Sequence, residues 1–206
     1  YSKFKEQQEQ QLQIENQQIQ LSLLRSQVNP HFLFNALNNI YALVNDENRK
    51  SLMALEKLSS MLRYSLYEQS EDVPLAQEWQ KMEDYITLES MRLSYNPAIL
   101  FDVPAEIPAV CVPPFMLIGL VENTFKHGLL NDPAQPVRIV LKQSNQKLQF
   151  NITNIIAKRE KDQTGGIGLQ NTRQRLALIY PNNHRFEVDS NEQSFAVFLE
   201  IPAQLC

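Results

Sequence analysis

The sequence predicts an α+β fold: a coiled-coil and helical hairpin that form a dimeric four-helix bundle, followed by an antiparallel-rich sheet backed by helices. Two observations carry this. Apolar residues recur at helical spacing through residues 30–44 and 48–68. After "SYNPAI" (residues 94–99) the pattern changes to the alternation of half-buried strands. The 206 residues suffice for one large domain or two small ones. An apolar content of 43% and a charged content of 20% are ordinary for a globular chain. A net charge of −4 argues against a nucleic-acid partner, which needs a basic face. Cys111 and Cys206 are far apart in sequence and form no CxxC pair. They therefore suggest neither a disulfide framework nor a metal site, and a reducing cytosolic setting fits best. No apolar run reaches the length of a membrane span, and the chain starts at Tyr1 without a signal peptide. We expect a piece of a longer protein.

The elements follow in order. Residues 1–26 read as a coiled-coil linker. Eight of the first twenty residues are glutamine, and Leu12, Ile19 and Leu23 mark a sparse seam. A helical dimerisation domain is expected over 27–95. Pro30 removes a backbone donor, so a kink or a fresh helix start is expected there. Phe34, Leu37, Tyr41 and Val44 define the first arm of the hairpin; Leu52, Leu55, Leu58, Leu62 and Leu66 define the second, over 48–68. Apolar faces this wide call for a second copy of the hairpin, giving the four-helix bundle. "SEDVPLAQEW" breaks the pattern, and a third helix runs over 75–93. The second domain, 96–206, opens with a strand at 99–103. A helix at 114–127 follows Pro113 and Pro114 and stops at Gly128. Residues 137–143 and 147–153 alternate around a short polar turn, which signals a hairpin. A glycine cluster at 165–168 leads into a helix at 169–180, and strands at 185–189 and 195–201 close the chain.

Three stretches could carry chemistry. In "SQVNPHFLFNALNNI" (26–40), a helix aligns Gln27, His31, Asn35 and Asn38 in one polar stripe on an otherwise apolar surface. No carboxylate or further ligand lies within a turn, which argues against a metal site. Two readings remain open: a hydrogen-bonded core histidine, or a neutral imidazole nucleophile oriented by amides. In "PPFMLIGLVENTFKHG" (113–128), Glu122 and Asn123 could offer oxygens to a hydrated Mg²⁺. Lys126 and His127 could neutralise phosphate one turn on, or the stretch is a charged, solvated helix end. In "TGGIGLQNTRQRL" (164–176), three glycines before a helix let backbone N–H groups approach a phosphate, unless they only cap a flexible loop.

In this order the three stretches resemble the LytS-type sensor histidine kinases of bacterial two-component systems. "QVNPHFLFNALNNI" is similar to their phosphoacceptor box, "LVENTFKHG" to their N box and "GGIGLQNTRQRLALIYP" to their second glycine box. "VPLAQEWQKMEDYITLESMRL" resembles the segment that joins the first two. The resemblance, over residues 20–200, implies that 96–206 is an ATP-binding α/β sandwich of the GHKL type, shared with gyrase, heat-shock chaperone and mismatch-repair ATPases. It implies ATP and Mg²⁺ as cofactors, a homodimer, a response-regulator receiver domain as partner, and an upstream membrane sensor. The chain would then be the cytoplasmic portion of a bacterial inner-membrane protein.

Carried over by position, the resemblance makes His31 the phosphoacceptor and Asn123 the Mg²⁺ ligand, with Glu122 as a further candidate. Lys126 and His127 become phosphate contacts, and Gly166, Gly168, Leu169 and Arg173 belong to the lid over the triphosphate. Phe32 follows His31 where commoner histidine kinases have an acidic residue. The general base is thus unassigned: Glu122 would have to swing close, and Gln27 and Asn35 could orient the imidazole or a water. The first glycine box also departs from the pattern. In "FNITNIIAKREKDQTGG" Asn154 stands where the adenine-binding aspartate is expected, and no glycine follows before Gly165. An amide oxygen still accepts a hydrogen bond from an amino group, but without charge. The expectation is weaker ATP binding than usual for the family, or a lid ordered only with nucleotide.

Overall fold

The computed structural model describes residues 48–68, 70–157 and 167–206. The expected coiled coil, the first hairpin arm and the first glycine box beyond Ala157 lie outside the described residues. Helix α1 spans Asn48–Tyr67. It is followed by β1 (Val73–Pro74) and α2 (Leu75–Met91), which starts directly after the proline. The buried face of α1 is Ala54, Leu58, Met61 and Tyr64. Leu52 and Leu55 of the expected leucine stripe are 65% and 49% exposed; the first hairpin arm, expected to share that surface in the bundle, lies outside the described residues. Among the described residues α1 packs chiefly on α2 and reaches the start of α3 through Tyr64 and Phe115.

Strand β2 (Ile99–Asp102), β3 (Val110–Val112) and helix α3 (Met116–His127) follow. Next come β4 (Val137–Ser144), β5 (Lys147–Ile155), α4 (Ile167–Ile179), β6 (Arg185–Ser190), β7 (Ser194–Pro202) and β8 (Gln204–Leu205). The main sheet has the order β2-β4-β5-β7-β6. Only the β2–β4 pair is parallel. Asn145 and Gln146 form the two-residue β4–β5 turn, both at positive φ (49° and 60°). That is the geometry whose twist matches the flanking strands. Alternate residues of β5 and β7 are buried: Leu148, Phe150, Ile152 and Asn154 on one, Phe195, Val197, Leu199 and Ile201 on the other. A pleat with period two delivers one face to the core. That face and the apolar faces of all four helices form a single hydrophobic cluster. Trp79 of α2 sits edge-on to Phe101 and Phe150, at 6.0 and 6.4 Å between ring centroids.

A second, three-stranded sheet has the order β1-β3-β8. It was not expected from the sequence, because strands of two or three residues show no periodicity. It pairs Cys111 with Gln204, and Cys111 and Cys206 form a disulfide. This corrects the reading that the two distant cysteines suggest no disulfide and fit a reducing setting best: 95 residues of separation are closed by strand pairing.

Candidate functional site

The site is built where α3 ends against the end of β5. Gly128 closes α3 through its N–H to the Thr124 carbonyl (2.7 Å). The chain then runs beside β5: Leu129 N–H donates to the Ile155 carbonyl (2.7 Å), and Ala157 N–H donates to the His127 carbonyl (2.9 Å). This clamp brings the N-box residues next to Asn154, thirty residues on. Asn154 is buried, and its Oδ1 accepts from the Thr124 hydroxyl at 3.4 Å while its Nδ2 donates to the Ile155 carbonyl at 2.9 Å. Thr124 is therefore a site residue that sequence reasoning did not single out. Its signal was present: it sits inside the ENTFKHG run, one helical turn before the closing glycine.

Helix α3 divides the motif between two faces. Asn123 lies one turn after Gly119, a position facing Thr172 of α4, where an added Cβ would sit 3.8 Å from the hydroxyl. Residues four apart share a face, so Asn123 is turned towards the α4 side. Glu122 instead shares the face of Phe125, whose ring meets Tyr85 of α2 edge-on at 6.0 Å. Glu122 is ion-paired to Lys126 at 2.6 Å, and both are partly exposed. The Glu122 carboxylate also bears on α2 electrostatically. With burial and Glu89 it helps to hold the Tyr85 hydroxyl well above its usual range. Glu89, ion-paired to Arg92 at 2.6 Å, is itself raised, first by desolvation and further by Glu122.

On α4, Gly168 is exposed and Leu169 packs at the edge of the core. Arg173 lies against β6: its guanidinium stacks 5.2 Å from the Phe186 ring centroid and donates to the Phe186 carbonyl at 3.3 Å. His31, Gln27, Asn35 and Gly166 lie outside the described residues. The structure thus joins Thr124 to Asn154 and the His127 carbonyl to Ala157, turns Asn123 towards α4 and places Glu122 towards α2. Among the described residues no three His, Cys, Asp or Glu side chains converge as a metal cluster. The donor set on offer is an amide oxygen, which fits a hard cation that keeps most of its water and takes phosphate oxygens.

The family model described as "Histidine kinase" matches residues 19–96. The sensor protein LytS of Enterococcus faecalis is 30% identical over 201 residues, covering 90% of this chain and 34% of the relative. The sensor histidine kinase BtsS of Escherichia coli is 30% identical over 189 residues, again covering 90% of this chain and 34% of the relative. The chain thus spans about a third of the length of these curated relatives. A solved bacterial phosphotransferase shares the fold, with a TM-score of 0.52 at 10% identity, over 88% of this chain and 96% of that one. Among the described residues no helix is long and apolar enough to cross a membrane. Over 90% of its length the chain is thus a homologue of the LytS sensor histidine kinases.

Proposed function

We propose that this chain is the kinase core of a two-component sensor, which phosphorylates its own His31 from Mg-ATP and passes the phosphoryl group to an aspartate of a response-regulator receiver domain. It acts as a homodimer through residues 27–95, below a membrane sensor region, on the cytoplasmic side. The observation that carries this reading is the clamp between α3 and β5. It ties Thr124 to Asn154, the position that the family resemblance assigns to adenine, and the His127 carbonyl to Ala157, so that the end of the N-box helix lies at the end of β5. ATP with Mg²⁺ supplies an activated γ-phosphoryl group.

The chain's own residues hold and aim it. Asn123 offers its amide oxygen towards the cation, and His127 and Lys126 balance phosphate charge. The backbone N–H groups before α4 approach the phosphates where the helix dipole favours anions. A neutral His31 nitrogen attacks the γ-phosphorus; a nitrogen–phosphorus bond forms, the bond to the β-phosphate oxygen breaks, and ADP leaves. Gln27 and Asn35 hold the other ring nitrogen. The receiver carboxylate later takes the phosphoryl group and restores the imidazole. Such transfer is mostly positioning and charge neutralisation, which this residue set supplies.

The decisive experiment uses the purified chain with γ-labelled ATP and Mg²⁺. Acid-labile, base-stable label that disappears in His31→Gln is the expected result. A folded protein that takes up no label at millimolar ATP overturns the reading. One observation favours a second reading, a dimeric scaffold or phosphatase-only partner that binds no ATP. The Asn154 oxygen, expected to receive the adenine amino group, already accepts from Thr124. The carbonyl oxygen has a second lone pair, so the kinase reading stands unless labelling fails.

A further inference from the structure

Glu78 is an acidic residue on the apolar stripe of α2, between Leu75, Trp79 and Met82, and it is 0% exposed. Burying a carboxylate is expensive unless its oxygens are matched by donors. Three donors reach this one, from two other parts of the chain. The Tyr64 hydroxyl of α1 donates to Oε2 at 2.7 Å. The Phe115 N–H donates to Oε2 at 3.0 Å and the Leu117 N–H donates to Oε1 at 2.9 Å. Phe115 and Leu117 open α3, the helix of Asn123. Phe115 stands at the cap in the left-handed region (φ 62°), and its side chain makes no capping bond. Glu78 thus caps α3 from another helix, as a local Asp or Ser side chain would, and places a negative group at its positive end.

The same point gathers two more contacts. The Tyr64 ring packs on the Phe115 ring at 4.6 Å between centroids. Arg175 of α4 donates to the Pro114 carbonyl at 2.9 Å. Burial raises the Glu78 carboxyl above its usual range, and Tyr64, the two N–H donors and the Arg175 charge pull the other way. So α1, α2 and α4 all meet the start of α3. In sequence α1 is the helix that follows His31, and α4 is the helix that follows the glycine loop.

We infer that Glu78 is a positioning residue for phosphoryl transfer: with Tyr64 it latches the start of the Asn123 helix onto the hairpin arm that follows the His31 stretch. The inference rests on the kinase reading and adds to it the residue pair that holds donor and acceptor halves together. Tyr64→Phe is the discriminating variant, because it keeps the ring contact with Phe115 and deletes only the hydroxyl. Glu78→Gln keeps the shape, but an amide has one acceptor oxygen for three donors.

The test measures His31 labelling rates against ATP concentration, with thermal unfolding as a check on folding. In Tyr64→Phe the expected result is an unchanged KM for ATP with kcat lowered by roughly tenfold, the range for a misplacement short of an ångström. In Glu78→Gln a larger loss is expected, and Tyr64→Phe added to it should cost nothing more, because the two groups form one latch. Wild-type kcat in Tyr64→Phe, or a loss seen only as a raised KM, overturns the latch while leaving the kinase reading intact. Additive losses in the double variant overturn it as well. Absence of label in the wild type overturns the kinase reading, and the latch falls with it.

Discussion

Replacing Gly128 by alanine sets two opposed effects against each other at the centre of the site. Gly128 has φ −76° and ψ 149°, which alanine adopts without strain. At such a position the substitution stabilises by about 0.4–1 kcal/mol by restricting the unfolded chain. The space, however, is absent. A Cβ would fall 2.5 Å from the Thr124 carbonyl oxygen, 3.1 Å from Asn154 Nδ2 and 3.4 Å from Asn154 Cγ. The Thr124 oxygen is the acceptor of Gly128's own N–H, so it moves only by opening the end of α3. Overpacking of this kind costs roughly 1–3 kcal/mol. The collision wins, and Gly128→Ala should be destabilised by about 1–2 kcal/mol, the difference of those two effects.

Gly119→Ala provides the contrast. It lies inside α3, and among the described residues the added carbon meets the Thr172 hydroxyl alone, at 3.8 Å. It should gain up to about 1 kcal/mol, the helix-propensity difference. Urea unfolding followed by the fluorescence of Trp79, the single tryptophan, reads both variants. Its ring is buried against Phe101 and Phe150 and reports loss of the shared core. A Gly128→Ala midpoint equal to or above that of wild type would refute the reasoning, most clearly if Gly119→Ala is stabilised in the same assay.

Two further predictions follow from buried polar groups. Glu89 is raised above its usual 4.5 by desolvation, against the opposing pull of Arg92 and Lys126 and with a further push from Glu122; Tyr85 also faces it. A raised folded value contributes stability that is complete below 4.5 and is lost as pH rises through the folded value. The stability of the wild type relative to Glu89→Gln should therefore be greater at pH 5 than at pH 8, and a difference flat in pH would sink the assignment. Asn154→Asp removes the donor to the Ile155 carbonyl and places a carboxylate in a buried site. It should cost about 1–3 kcal/mol of stability while tightening nucleotide binding by calorimetry. Loss of stability with no gain in affinity would show that position 154 does not meet the base.

The long elements were legible because each repeats a period many times. Helix α2 was expected over 75–93 and runs Leu75–Met91; the β4–β5 hairpin was expected at 137–143 and 147–153 and runs Val137–Ser144 and Lys147–Ile155. The helix of the N box ends at the predicted Gly128 stop. Elements of two or three residues repeat nothing, so β1, β3 and β8 were invisible, and with them the pairing that joins Cys111 to Cys206.

Sequence by itself determined the family, the order of the motifs and the residue types from which the site is drawn, because these depend on identity and spacing along one chain. Tertiary structure alone decided which side each residue takes. Residues 122 and 123 are adjacent, but a helix turns about 100° between them. One carboxylate therefore lies towards α2, paired with Lys126, and the neighbouring amide towards α4. Likewise only packing placed the donors of Tyr64, Phe115 and Leu117 around Glu78.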